Sequence, residues 1–242
     1  MEKTVSEAIA YRRSVRVYKN KSIDSEKVKQ CLVNASLAPT SSNLQLWEFY
    51  HITNEVISSK IAEACLNQSA AKSAQQLVVV VVRKDLWRKR AKANIEFLKK
   101  IYDKEGLTDS ELKRKKMAIN YYGKLIPTIY NDFFGILGFI KFIIFQIIGF
   151  FKPVYRQTRL SDMRIVAHKS AGLAAENFMI SMSAIGYDTC PMEGSDTLRI
   201  KQILKLPRHA EINMVISCGI RELKGIYGPR FRIPFDEVYY RI

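Results

Sequence analysis

Three guanidiniums and a hydroxyl fall within five residues at Arg12-Arg13-Ser14-Val15-Arg16. Such a set can grip a phosphate through charge-assisted, partly bidentate hydrogen bonds. A second basic pair, Arg230 and Arg232 in Pro229-Arg230-Phe231-Arg232-Ile233-Pro234, falls on one side of an extended segment and is a further phosphate candidate. Two segments of another kind stand between them. Pro39-Thr40-Ser41-Ser42-Asn43-Leu44-Gln45-Leu46-Trp47 is a polar loop entering a strand, suited to the edge of a heterocycle or polyol. Cys190-Pro191-Met192-Glu193-Gly194 follows Gly186-Tyr187-Asp188-Thr189, and a turn there can aim backbone N–H groups at a ligand. Singly, each also describes an ordinary surface. His51, His168 and His209 are isolated and form no metal set with the cysteines. Cys31, Cys65, Cys190 and Cys218 include no close pair, so neither a disulfide framework nor a zinc knuckle is expected. Cys190 reads as a small buried residue rather than a redox group.

These segments need elements to hold them. Thr4 to Tyr11 reads as a short helix, and Ser25 to Ala38 as a longer one with Val28, Leu32 and Ala35 on one stripe. Strands are expected at Trp47 to Thr53, at Leu77 to Val82 and at Ile212 to Ser217, with a helix around Ile57–Cys65. The unbroken apolar run Leu77–Val82 suits a strand buried on both faces. Asp85 to Tyr102 places Trp87, Ala91, Ile95, Leu98 and Tyr102 on one helical face, with basic residues opposite. Ile165 to Ile185 reads as a helix with small residues from Ala167 to Ala175, suited to close packing against another helix, and Gly186 ends it. Strands and helices mix without βαβ alternation, so an α+β fold is expected over residues 1–242 as a single domain.

Composition sets the outer bounds. The 242 residues carry 39 Lys+Arg against 23 Asp+Glu, a formal net charge of +16, with 48% hydrophobic residues and only 11 Gly and 7 Pro. A disordered, collagenous or low-complexity chain is excluded. The charge favours phosphate-bearing cofactors, nucleic acid or an anionic membrane face. Residues 83–116 hold 13 basic and 6 acidic residues but lack regular aromatic interleaving, so no nucleic-acid partner is expected. Met1 to Arg16 has no apolar run of signal-peptide type, and the cytoplasm is the expected compartment.

Taken in order and spacing, the four motifs resemble the nitroreductase family of FMN-dependent oxidoreductases over nearly the whole chain. The resemblance implies that Arg12, Arg13, Ser14 and Arg16 bind the FMN phosphate and ribityl chain, joined by Arg230 and Arg232. It implies that Pro39, Thr40, Ser41 and Asn43 touch flavin across a dimer interface, with Thr40 standing for a usual Ser and Leu46 for a usual Pro. Asn67 is carried over on a weaker alignment. Pro191, Met192, Glu193 and Gly194 match the segment whose amides approach the flavin N5. Lys169 to Met179 is similar to the family's central dimer helix. The implied architecture is a mostly antiparallel sheet flanked by helices in a domain-intertwined homodimer. The implied chemistry is hydride transfer from NADH or NADPH through FMN to a nitroaromatic, quinone or similar apolar acceptor in a ping-pong cycle. No side-chain nucleophile or acid–base pair is required, and no metal.

Residues 125–156 form an apolar insert within that pattern. Phe133 to Phe151 contains seven Phe and six Ile, and its length alone would permit a membrane span. At about 100° per residue, Gly135, Gly138, Lys141, Gln146 and Gly149 share one sector. A span would put Arg12–Arg16 and Cys190–Gly194 on opposite sides of a membrane, against the family pattern. The expected role is a lid that shields the flavin and favours bulky apolar acceptors, with a dimer arm or a membrane-surface helix as alternatives. Two other functions stay open: a reductive dehalogenase or dehydrogenase of the same family, and a non-catalytic basic nucleic-acid or membrane-binding protein.

Overall fold

In the computed structural model of the chain, which describes residues 2–132 and 135–242, the centre is strand β2, Gln76–Val82, whose seven residues are all buried. The order of elements is α1 (Val5–Tyr11), α2 (Ser25–Ser36), β1 (Trp47–Ile52), α3 (Glu55–Ala64), α4 (Ser69–Lys72), β2, α5 (Trp87–Ile101), α6 (Asp109–Asn120), α7 (Ile126–Tyr130), α8 (Ile136–Phe151), α9 (Leu160–Ala184), β3 (Asp188–Met192), α10 (Thr197–Ile203) and β4 (Glu211–Gly219). The four strands form one sheet in the order β1-β2-β4-β3, with every pairing antiparallel. This is the expected α+β architecture.

The continuous valine run needs two apolar layers, and the sheet supplies them. Val78, Val80 and Val82 face α2 and α9 together with Ile216 and Cys218. Leu77, Val79 and Val81 face the other way, into a layer with Ile61 of α3 and Ile200 of α10. The five-residue β3 is an edge strand, where Pro191 is tolerated because the ladder there needs fewer N–H donors. The sequence suggested a turn from Gly186 to Gly194; most of it is this strand.

α9 spans 25 residues, about 37 Å, and begins at Leu160 rather than at the expected Ile165. The Arg159 backbone N–H donates to Asp162 at 2.9 Å, so the helix starts one turn early. It closes with a Schellman motif: Tyr187 N–H bonds Met182 O at 2.9 Å, Gly186 N–H bonds Ser183 O at 3.1 Å, and Gly186 takes φ 82°. The small residues Ala167, Ala171, Ala174 and Ala175 are 0–2% exposed. They find their close neighbours within the same chain, in α2 and the sheet. Helix α6, held by a capping box in which Glu111 N–H donates to Thr108 Oγ1 and Thr108 N–H donates to Glu111, was not anticipated from the sequence. It carries Lys113 to Lys116.

The start of the apolar segment at Phe133 lies outside the described residues, and its helix, α8, has 16. The sector of small and polar residues faces inward. Lys141 donates its ammonium to three carbonyls at the end of α7, Thr128 (2.9 Å), Ile129 (3.1 Å) and Asn131 (2.8 Å), and so caps that helix. Gly138 packs so closely that a Cβ there would lie 3.3 Å from the backbone of residues 158–160. Among the described residues, no helix is long and apolar enough to cross a membrane.

Candidate active site

Alternation in the segment after α1 separates anchors from ligands. Val15 is fully buried, so Ser14 and Arg16 turn outward on either side of it. Ser14 pairs in parallel with Thr189 of β3, and Val15 N–H donates to Thr189 O at 3.2 Å. Arg16 N–H donates to Gly225 O at 2.7 Å. The motif is thus an extra strip beside the sheet edge. Gly225 is required there, since a Cβ would stand 2.3 Å from Val17 O.

A buried ion pair braces this strip. Asp188, 3% exposed, accepts from the Arg221 backbone N–H at 2.9 Å and from its Nε at 2.7 Å, with Nη2 closing the pair. The same Nη2 donates to Tyr11 O at 3.2 Å, and the guanidinium lies 4.0 Å from the centre of the Tyr11 ring. The end of α1 is therefore fixed from β3 and from Arg221, two residues past β4. Tyr18 adds a second tie, its hydroxyl 2.8 Å from Ser217 Oγ. Neither brace was singled out from the sequence, because the partners stand 33 and 199 positions apart.

The C-terminal segment returns to the same place. Arg13 donates to Gly228 O at 2.6 Å, and Arg230 Nη2 donates to Ala10 O at 2.9 Å and to Arg12 O. Together they line a cavity of about 330 Å³ with Arg12, Arg13, Ser14, Arg16, Arg230 and Arg232 in its wall, and no carboxylate lines it. The nearest carboxylate partner is Glu176 of α9, 3.6 Å from Arg12 Nε. Desolvation lowers the Arg230 pKa, and the charges of Arg232, Arg13 and Arg12 push it the same way. Burial raises the Cys190 thiol pKa, while Arg16 and Arg12 oppose that rise, so their positive field reaches the base of the site. Five guanidiniums line one cavity whose wall holds no carboxylate, Glu176 pairing with Arg12 from outside it, and such a set suits a phosphate dianion.

The Pro191–Gly194 segment ends β3 next to this strip. Met192 is buried in the layer away from α9, so only its backbone is free to meet a ligand, while Glu193 and Gly194 are exposed. Thr189 shares the α9 side with Pro191, and its buried hydroxyl has no hydrogen-bond partner among the described residues. Gln68 Nε2 donates to Gly194 O at 2.8 Å. Asn67 takes φ 54° and lines a different cavity near Thr53 and Gln75, so the structure does not bring it to the arginines.

The polar loop is shaped by strain and anchored by α5 and α9. Ser42, Asn43 and Gln45 all adopt positive φ (53°, 47° and 48°), an uncommon set for residues other than glycine. Leu44, Leu46 and Trp47 are buried and hold it. Thr40 Oγ1 accepts from Gln45 N–H at 3.3 Å, Ser41 N–H donates to Ser170 Oγ at 3.4 Å, and Asn43 Nδ2 donates to Asn94 at 3.1 Å. Pro39 and Ser41 are exposed. Within one chain the loop and the arginines do not share a cavity. They touch α9 at Ser170 and Glu176, six residues apart, which is about 9 Å along the helix and about 120° apart around it.

An arginine-walled cavity at the edge of an antiparallel α+β sheet has the charge and donor types that suit a phosphate-bearing ligand. The family model described as Nitroreductase matches residues 9–220, and the chain belongs to the nitroreductase family. Protein DrgA of Synechocystis sp. is 26% identical over 216 residues, covering 89% of this chain and 83% of that one. The fold is similar to that of the nitroreductase-like YdfN of Bacillus subtilis (TM-score 0.72, 21% identity, 98% of each chain covered). It is also similar to that of a nitroreductase-like chain from Exiguobacterium sibiricum solved in complex with FMN (TM-score 0.66, 22% identity, 99% and 98% covered).

Proposed function

We propose that the protein is an FMN-dependent oxidoreductase that draws electrons from NADH or NADPH and passes them to a nitroaromatic, quinone or similar apolar acceptor. The observation that carries this is the cavity walled by five arginines and free of carboxylates, which suits a flavin mononucleotide phosphate in charge and donor type. Arg12, Arg13, Arg16, Arg230 and Arg232 would hold the phosphate, with Ser14 adding a hydroxyl. The backbone of Pro191–Gly194 and the unpartnered Thr189 hydroxyl would meet the ring system. When bound, FMN supplies the hydride chemistry, and the chain's part is to bind it, orient it and bias its charge.

Pro39, Thr40, Ser41 and Asn43 are read as reaching the flavin of a second copy, which makes the working unit a homodimer. Their separation from the arginines within one chain supports that arrangement. The exposed face of α9 at Ile165 and Leu173 is available for the contact.

Acid release of the bound chromophore from the purified protein, followed by chromatography, tests the cofactor directly. FMN at one per chain, bleached anaerobically by NADH or NADPH and restored by a quinone, is the expected result. A colourless protein that takes up no FMN would overturn the reading.

A further inference from the structure

Helix α8 is built inside out. Its inward residues include Gly138, Lys141, Gln146 and Gly149, while all nine exposed residues are Ile, Leu or Phe. Ile136, Phe139 and Ile147 are 55–57% exposed, and Phe150 and Phe151 are 82% and 86% exposed. The inward polar groups are all engaged. Lys141 caps α7, Arg156 donates to Gln146 Oε1 at 2.6 Å and to Gly149 O at 2.5 Å, and Gly138 N–H donates to Asp132 at 3.0 Å. Rolling the helix to bury its apolar side would break these contacts and drive bulky side chains into the 3.3 Å approach at Gly138. The apolar face is held outward by the fold.

That placement also removes α8 from the arginine site of its own chain. It packs at the Leu160 end of α9, 16 residues or about 24 Å from Glu176. Within one protomer no residue of α8 lines the arginine cavity.

We infer that α8 is an in-plane anchor for an anionic lipid bilayer. Its outward face offers no hydrogen-bond donor, acceptor or charge, so a folded protein partner, whose rim is polar, would find nothing to pair with there. Hydrocarbon asks for nothing else. Residues 132–162 carry four cations, Lys141, Lys152, Arg156 and Arg159, against Asp132 and Asp162, a net charge of +2, with Arg159 paired to Asp162. A second copy docked on this face would bring the net positive rim beside it against its own like, whereas anionic headgroups complement that rim. The helix is about 24 Å long, short of the roughly 30 Å hydrocarbon core, so it lies along the interface rather than through it.

Flotation of the full-length protein with phosphatidylcholine vesicles, with and without phosphatidylglycerol, tests the anchor. Wild type should bind the anionic vesicles, and added salt should weaken that binding. The double variant Ile143→Asp/Ile147→Asp should bind at least about tenfold more weakly, since it loses two exposed aliphatic side chains that the bilayer would bury. Lys152→Glu, a change at an exposed helix end, should weaken binding without touching the apolar face. No wild-type binding, equal binding to neutral and anionic vesicles, or unchanged binding in both variants would overturn the inference. So would a wild-type oligomer that the double variant splits while vesicle binding persists, because a second copy would then be the occupant.

Discussion

Arg16 and Arg230 line the same cavity but are held differently, and the difference makes a sharp test of the phosphate site. The Arg16 guanidinium makes no hydrogen bond or ion pair among the described residues, and its backbone N–H bond to Gly225 O survives truncation. Arg16→Ala should therefore leave the stability of the flavin-free protein within about 0.5 kcal/mol of wild type. It removes one charge-assisted contact to the phosphate, about 1.5–3 kcal/mol, so the FMN Kd should rise roughly 10- to 150-fold. The partly buried position of Arg16 favours the upper half of that range. Arg230→Ala loses a comparable contact together with its bonds to Ala10 O and Arg12 O, so it should lower both FMN affinity and the melting temperature of the flavin-free chain. Fluorescence titration of flavin-stripped protein gives the first quantity, and thermal melting of the same sample gives the second. Wild-type FMN affinity in Arg16→Ala would show that its charge faces only solvent. An equal loss of stability in both variants would refute the distinction between a free and a bracing arginine.

Asp188→Asn should destabilise the chain by about 2–3 kcal/mol, at or just below the lower end for a fully buried pair because the Arg221 side chain is 23% exposed. That corresponds to a fall of roughly 4–12 °C in melting temperature for a chain of this size, and unchanged melting would show that solvent already screens the pair. The Glu111 carboxyl is held down to about 2, first by the hydrogen bond from Lys104 and then by those from Thr108. Its folded pKa lies below the ordinary 4.5, so its support for α6 is present above that pH and is lost as the pH falls toward 2. NMR shifts of α6 should lose helical character in that window before those of α9, and a helix that persists alongside α9 would argue against the capping box.

Much of the site was legible in the residues because its chemistry is local. Arg12 to Arg16 gathers three guanidiniums and a hydroxyl over five positions, and the alternation that buries Val15 and exposes its neighbours needs no distant information. Leu77–Val82 announced a strand covered on both faces, and Gly186 a helix end. What the sequence could not contain is which local pieces meet. The Asp188–Arg221 brace, the return of Arg230 to the Ala10 carbonyl and the Gly225 approach to Val17 join positions tens to hundreds of residues apart, and only the closed sheet sets those distances. The same holds for α8. Its apolar content and its weak sector could be read along the chain, but the side facing water could not. That was decided by three carbonyls at the end of α7, which bind Lys141 and turn the isoleucines outward. Burying an ammonium without partners would cost more than exposing the aliphatic face, so the tertiary contact overrides the hydrophobic pattern.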